Sequence, residues 1–259
     1  MEHKSNVYAF AGAAKELLEN VVFPIRNTES VCVTKAYVVA ELSQKVDFAW
    51  IAANILAPFV DVPTRYCLNY GKETEFSSAR FASLSRAVED LESLLIIDSA
   101  GEVPFIIGSV FSSDEARATL EFVLVAKRTD DFTDGVEALR RISSKFKLAY
   151  GYCRTLRANF SPLSEAGIKK GVFGSTLSVE KASDAWLLDP HGITNGAIKG
   201  IYPVNFWQNN VLGKLSGIGL ELPQASAGGA DIIQFDNAMR EEVLKKNPRF
   251  ARYIHFGDT

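Results

Sequence analysis

The sequence predicts an α+β protein with a mixed or antiparallel sheet and helices packed on it. Segments 31–42 and 103–111 are rich in β-branched and aromatic residues, which is the composition of strands. Segments between such runs carry apolar residues at helical spacing. The chain is 47% hydrophobic and 23% charged, a balance typical of a globular protein with a sizeable core.

The first hundred residues predict two strands and two helices. Strands are predicted over 31–42 and 63–70, and the mostly apolar segment 46–59 predicts a nearly buried helix. A second helix is predicted over 81–95, with Ser77 or Ser78 as its N-cap. Its apolar residues follow a 3-4 spacing, namely Phe81, Leu84, Val88, Leu91 and Leu95.

A hairpin and a helix are predicted in the middle of the chain. The apolar run 103–111 and the alternating run 117–127 flank a polar turn, which indicates an antiparallel hairpin. Asp134 with Glu137 three residues later predicts a capping box at the start of the next helix. A strand over 148–154 follows.

The last helix is predicted to begin at Asp236 and to end before Pro248. No long linker rich in glycine, serine or proline divides the chain. We therefore expect one domain over 1–259, with 1–98 and 99–259 as candidate lobes. The two ranges share a short similarity, since each has a predicted helix followed by a strand that contains two tyrosines.

Composition limits the classes of partner. The formal net charge of −3 gives no indication of a nucleic-acid partner. Three scattered cysteines predict neither a disulfide framework nor a zinc site. The apolar run 48–60 is shorter than the about 20 residues that a membrane span needs. With no signal peptide recognised at the N-terminus, we expect a cytoplasmic protein without a membrane partner.

Motifs for catalysis or cofactor binding are not found in the sequence. His191 is the one histidine far from both ends, and a Cys153, His191 and Asp189 triad rests on nothing that brings those side chains together. The glycines at 217–219 and 228–229 lack the remaining residues of a dinucleotide or phosphate loop. We therefore predict no catalytic residue, no metal site and no cofactor.

Acidic clusters are the sharper candidates for a partner-binding surface, because charge complementarity speeds association and selects partners. Solvated helix edges and turns are the alternative reading of the same clusters. Two aromatic residues, Tyr202 and Trp207, are candidate interface anchors, with core packing as their alternative. The predicted partner-binding residues are Glu89, Asp90, Glu92, Asp130, Asp131, Asp134, Tyr202 and Trp207.

The span 149–215 resembles bacterial immunity proteins of the immunity protein 52-like group. The resemblance is carried by the Tyr150-Gly151-Tyr152 strand, by residues 167–173 and 184–186, and by the Gly-Ile-Tyr-Pro-Val-Asn-Phe step at 200–206. It implies an α+β protein that stays in the producing cell and neutralises a cognate polymorphic or contact-delivered toxin, as in type VI secretion. It implies tight binding without catalysis, and it transfers no individual site residue.

Two other functions remain open at this point. One is an adaptor or scaffold with a peptide-binding groove. The other is an enzyme with a non-standard site built on Cys153 or on carboxylates, which would require a deep pocket with perturbed pKa values.

Overall fold

The computed structural model describes residues 30–111, 116–126, 132–157, 165–171, 174–179, 192, 196–217 and 232–251. These residues form a nine-stranded antiparallel sheet and a separate two-stranded hairpin, with helices on the large sheet. The α+β prediction is therefore confirmed. The strands are β1 Ser30–Glu41, β2 Pro63–Leu68, β3 Thr74–Glu75, β4 Ser93–Asp98, β5 Phe105–Phe111, β6 Arg117–Ala126, β7 Lys147–Arg157, β8 Ala166–Gly171, β9 Gly174–Val179, β10 Val204–Trp207 and β11 Ile232–Gln234.

The described helices range from the 5 residues of Ser78–Ala82 to the 13 residues of Thr133–Lys145. The first, α1, begins as an α-helix over Phe48–Ile51, continues as a π-helical stretch over Ala52–Leu56 and ends over Ala57–Phe59. Short 3₁₀ turns lie at Val88–Asp90 and Pro248–Ala251. The other helices are α2 Ser78–Ala82, α3 Thr133–Lys145, α4 Asn209–Gly217 and α5 Asn237–Lys246.

The large sheet has the strand order β11-β10-β7-β1-β6-β5-β4-β2-β3. Strand β1, the fourth in this order, pairs antiparallel with β6 on one side and with β7 on the other. The hairpin of β5 and β6 is present as predicted. One sheet therefore takes strands from both candidate lobes, since β1 lies between two strands of the second range.

Alternation along the strands divides the core between two faces of the sheet. On the first face, Ala36, Val38 and Phe122 pack with residues of α1 and α3. On the second face, Tyr37 and Tyr150 pack with residues of α4 and α5. Both faces are therefore covered at the centre of the sheet, and side chains on either face are buried.

The helix predicted over 81–95 is wrong. The structure has the short helix α2, the 3₁₀ turn at Val88–Asp90 and then the strand β4. The segment Ser93–Asp98 is buried throughout and pairs with β2 and β5. Strand pairing on both edges satisfies its backbone, and this tertiary context overrides the helical spacing of its leucines.

Of the two predicted helix caps, the structure confirms one and contradicts the other. Asp236 accepts a hydrogen bond from Met239 N at 2.7 Å, which confirms it as the N-cap of α5. The predicted capping box is wrong, because Phe132 occupies the N-cap position of α3 and Asp134 lies inside the first turn. Within the described residues, no helix is long and apolar enough to span a membrane.

Candidate functional site

Charged side chains lie at the centre of the second face of the sheet. Lys35 of β1, Glu121 of β6 and Arg154 of β7 point to this face, because they alternate with residues of the first face. Lys199, in the segment that enters β10, and Glu165, which directly precedes β8, complete the set. We call these five residues the buried charge cluster.

One ion pair of the cluster joins the two central strands. Lys35 Nζ lies 2.7 Å from Glu121 Oε1, and the side chains are 2% and 7% exposed. Tyr37 OH donates to the same carboxylate oxygen at 2.8 Å. Buried charges need such partners, because removing each charge from water costs on the order of several kcal/mol, which only a close opposite charge and hydrogen bonds can offset.

Glu165 is fully buried and accepts hydrogen bonds on both oxygens of its carboxylate. Tyr152 OH donates to Glu165 Oε1 at 2.7 Å, and Arg154 Nη1 donates to Oε2 at 3.0 Å. Lys199 Nζ also donates to Oε2, and Lys35 Nζ lies 4.0 Å from Oε1. Both carboxylate oxygens therefore face hydrogen-bond donors and cations.

Two stacked tyrosines, Tyr152 and Tyr202, lie beside the buried charge cluster. Tyr152 and Tyr202 stack with their ring centroids 4.4 Å apart. The Arg154 guanidinium lies 5.1 Å from the Tyr202 centroid, a cation–π distance. The amide of Asn205 fixes the turn, since Tyr202 N donates to its Oδ1 at 3.0 Å and its Nδ2 donates to Tyr202 O at 2.6 Å.

A third tyrosine attaches the segment that carries Lys199. Lys199 N donates to Tyr150 OH at 3.3 Å, and Tyr150 OH donates to Gly200 O at 3.4 Å. Burial raises the pKa of Tyr150 far above its usual range, so the phenol stays neutral. The Lys199 backbone is thus tied to β7, and its amine is held toward Glu165.

Burial and neighbouring charges shift the pKa values of Glu165 and Lys199, the closest pair of the cluster. Burial alone would raise the pKa of Glu165, but the positive charges of Lys199, Lys35 and Arg154 outweigh it and lower this pKa to about 2. Burial lowers the pKa of Lys199 to about 8, although the charge of Glu165 acts in the opposite direction. Near neutral pH the carboxylate is therefore ionised, and the amine is within reach of titration.

Glu165 also has an unusual backbone. Its φ of 51° lies in the left-handed region, which is uncommon for a residue other than glycine. Such a conformation costs on the order of 1 kcal/mol and persists where surrounding contacts determine it. Here the contacts of the carboxylate with Tyr152, Arg154 and Lys199 supply that determination.

Chemically, the cluster combines an ionised carboxylate with an amine of lowered pKa, which are the elements of a proton-transfer pair. In this conformation Lys199 is 1% exposed and bonded to Glu165 and to Tyr152 OH. These contacts therefore join the sheet to the segments that carry Glu165 and Lys199. Among the described residues, no three His, Cys, Asp or Glu side chains come together as metal ligands.

The predicted acidic residues do not converge where the structure describes them. Glu89, Asp90 and Glu92 are exposed, and Glu89 N donates to Leu42 O just beyond the end of β1. Asp134 is exposed at the start of α3. Its neighbour Gly135 contacts Thr34 near the beginning of β1, so the two sets lie toward opposite ends of that strand. Asp130 and Asp131 lie outside the described residues.

The expectation of exposed aromatic anchors is corrected. Tyr202 is 7% exposed and Trp207 is fully buried. Trp207 pairs with Tyr150 across the ladder of β10 and β7, so its ring points to the second face and packs edge-on against Phe235, 6.2 Å away. Both aromatic residues belong to the core, which was the alternative reading of the sequence.

The triad that can be written around Cys153 has one member in the described part of the chain. Cys153 is buried, accepts a hydrogen bond from Thr34 Oγ1 at 3.3 Å, and has a pKa raised by burial. A raised pKa disfavours the reactive thiolate. Asp189 and His191 lie outside the described residues.

Sequence reasoning missed the buried charge cluster, although part of its signal is visible. Lys35 interrupts the apolar run of β1, and Glu121 interrupts that of β6. Opposite charges inside two apolar strands indicate a buried pair if those strands are neighbours. Glu165 and Lys199 lie in segments without a periodic pattern, and no comparable signal marks them.

The fold and the cluster define the class as an α+β protein with a charged network buried in an antiparallel sheet. No protein-family model, curated protein or solved structure matches the chain.

Proposed function

We propose that the chain is a non-catalytic, immunity-type protein that neutralises a cognate toxin by tight binding. One observation carries this proposal: two separate pieces of the resemblance form a single unit. Residues 150–152 of β7 pair with β10, which contains 204–206 of the step, and Tyr202 just before β10 stacks on Tyr152. The resemblance thus falls on residues that contact one another.

The exposed acidic residues supply a surface suited to such binding. The backbone beside Glu92 is fixed by Asn69, whose Oδ1 accepts from Glu92 N at 2.9 Å and whose Nδ2 donates to Asp90 O at 2.6 Å. A fixed acidic surface favours a basic partner, because complementary charge accelerates association and excludes other partners. The carboxylates of Glu89, Asp90 and Glu92 are exposed for this role.

Co-expression with the product of the adjacent upstream gene tests the proposal. We expect growth to be restored when both proteins are made, and the full chain to capture that product from solution. A binding neutraliser protects at molar equivalence or above, whereas an enzyme that destroys a toxin protects far below equivalence. Neutralisation measured against the molar ratio therefore separates the two classes.

Two outcomes would contradict the proposal. One is the absence of both growth rescue and complex formation with the neighbouring product. The other is protection at a small fraction of molar equivalence, which would indicate turnover.

A further inference from the structure

The contacts of Glu165 are divided between different parts of the chain. Its donors come from the large sheet and from the segment entering β10, whereas Glu165 itself directly precedes the hairpin of β8 and β9. That hairpin forms its own two-stranded sheet and does not pair with the large one. The carboxylate at the start of the hairpin segment is thus bound by donors of the large sheet and of the segment that enters β10.

The receiving side has the chemistry of a carboxylate site. Tyr152 OH lies 2.7 Å from Oε1 and Arg154 Nη1 lies 3.0 Å from Oε2, with Lys199 Nζ also on Oε2. Hydrogen bonds from charged donors to a carboxylate are about twice as strong as those between neutral groups. Lys35 adds a further positive charge 4.0 Å from Oε1.

We infer that Lys35, Tyr152, Arg154 and Lys199 form a carboxylate-binding site on the sheet, and that Glu165 is its intramolecular ligand. Docking of this carboxylate attaches the beginning of the β8–β9 hairpin to the sheet. The left-handed backbone of Glu165 agrees with this role, because the conformation is held by the contacts of its side chain. The site is independent of any toxin partner.

The site is tested with the full chain carrying Glu165→Ala, which removes the carboxylate and leaves its donors. The probe is sodium acetate, which resembles the missing group, against sodium chloride of equal ionic strength and against neutral acetamide. We expect acetate to raise the melting temperature of E165A saturably and above the effect of chloride. We expect acetate and chloride to act alike on the unmodified chain. Equal effects of acetate and chloride on E165A, or equal effects of acetate and acetamide, would overturn the inference.

The attachment of the hairpin is tested by hydrogen exchange in Glu165→Gln, with Glu121→Gln as the matched control. Both variants remove one negative charge from the same buried cluster, but only Glu165 adjoins the hairpin. We expect backbone amides of 166–179 to exchange at least about tenfold faster in E165Q than in E121Q. Equal exchange of the hairpin in the two variants would contradict the inference, and this comparison also decides it if E165A does not fold.

Discussion

Gly135 of α3 lies directly on Cys153 of β7, so closely that a β-carbon at position 135 would be 2.7 Å from the cysteine Sγ. The same atom would also meet Thr34 Oγ1 of β1. The absence of a side chain at this position therefore sets how near α3 can approach β1 and β7.

We predict that Gly135→Ala lowers the free energy of unfolding by about 2 kcal/mol, because overpacking a close contact forces the helix away from the sheet. Gly213→Ala in α4 is the matched control, since a β-carbon there would meet nothing within 4 Å. That variant should be more stable by about 0.5–1 kcal/mol through helix propensity. Urea denaturation of both variants checks the pair, and a stabilised G135A would contradict the close packing.

Asp47 is predicted to contribute through two separable contacts. Its Oδ1 accepts from Trp50 N at 2.9 Å as the N-cap of α1, and its Oδ2 accepts from Lys145 Nζ at 2.7 Å. Asp47→Asn keeps a capping oxygen and loses the ion pair, so it should cost less than about 1 kcal/mol, as should Lys145→Met. Asp47→Ala loses the cap as well, which adds about 1 kcal/mol. Thermal unfolding of the three variants measures this, and equal losses in D47N and D47A would refute the capping role.

The lowered pKa of Glu165 predicts that the free energy of unfolding decreases at acidic pH. Its folded pKa is about 2 and its ordinary value is 4.5, so the folded state binds fewer protons between these values. A lowered carboxyl pKa contributes stability above the ordinary value, and this contribution is lost as the pH falls from about 4.5 to about 2. The loss is on the order of 3 kcal/mol. Unfolding free energies of the unmodified chain and E165Q should therefore converge in acid, and a constant difference across that window would argue against the prediction.

The pair of Lys35 and Glu121 predicts strong non-additivity. Lys35→Met or Glu121→Gln alone leaves a buried charge without its closest partner, which typically costs about 3–5 kcal/mol. The double variant removes both charges and should be less destabilised than the sum of the single changes by about 1 kcal/mol or more. A double-mutant cycle in urea checks this coupling. Simple additivity would show that the two charges do not stabilise each other.

The acidic surface predicts an effect on association with the proposed toxin. Replacing Glu89, Asp90 and Glu92 by Lys should slow association about tenfold or more at low salt. Asp134→Lys is the control, because it changes an exposed carboxylate toward the opposite end of β1. Stopped-flow association at several salt concentrations separates the two, and equal slowing by both variants would indicate a general charge effect instead of this surface.

Local patterns were sufficient for much of the fold. The strand at 31–42, the hairpin of 103–111 and 117–127, and the helix after Asp134 each satisfy a pattern within one segment, and the structure contains all three. The segment 81–95 failed because β4 owes its conformation to β2 and β5 on either side. The spacing of leucines within one segment does not indicate which distant strands will pair with that segment.

The buried charge cluster illustrates the same limit. Lys35 and its partner Glu121 are 86 positions apart, and Lys199 and Glu165 are 34 apart. A lysine in an apolar strand is visible in the sequence, but the carboxylate that makes its burial tolerable is identified only once the strand order is known. The separation of Glu89, Asp90 and Glu92 from Asp134 likewise depends on where the sheet places their segments.

The position of β1 between β6 and β7 has a consequence for how the chain folds during synthesis. Thr34 and Cys153, which touch across β1 and β7, are 119 positions apart, so the first described strand emerges well before its partners. Non-local pairing of this kind slows folding, and an unpaired apolar strand is prone to aggregate meanwhile. Lys35 interrupts the apolar run of that strand with a charge, and a charge within such a run lowers its tendency to aggregate. The lysine that is buried as an ion pair in the folded protein is thus also the charge that interrupts the strand before Glu121 is synthesised.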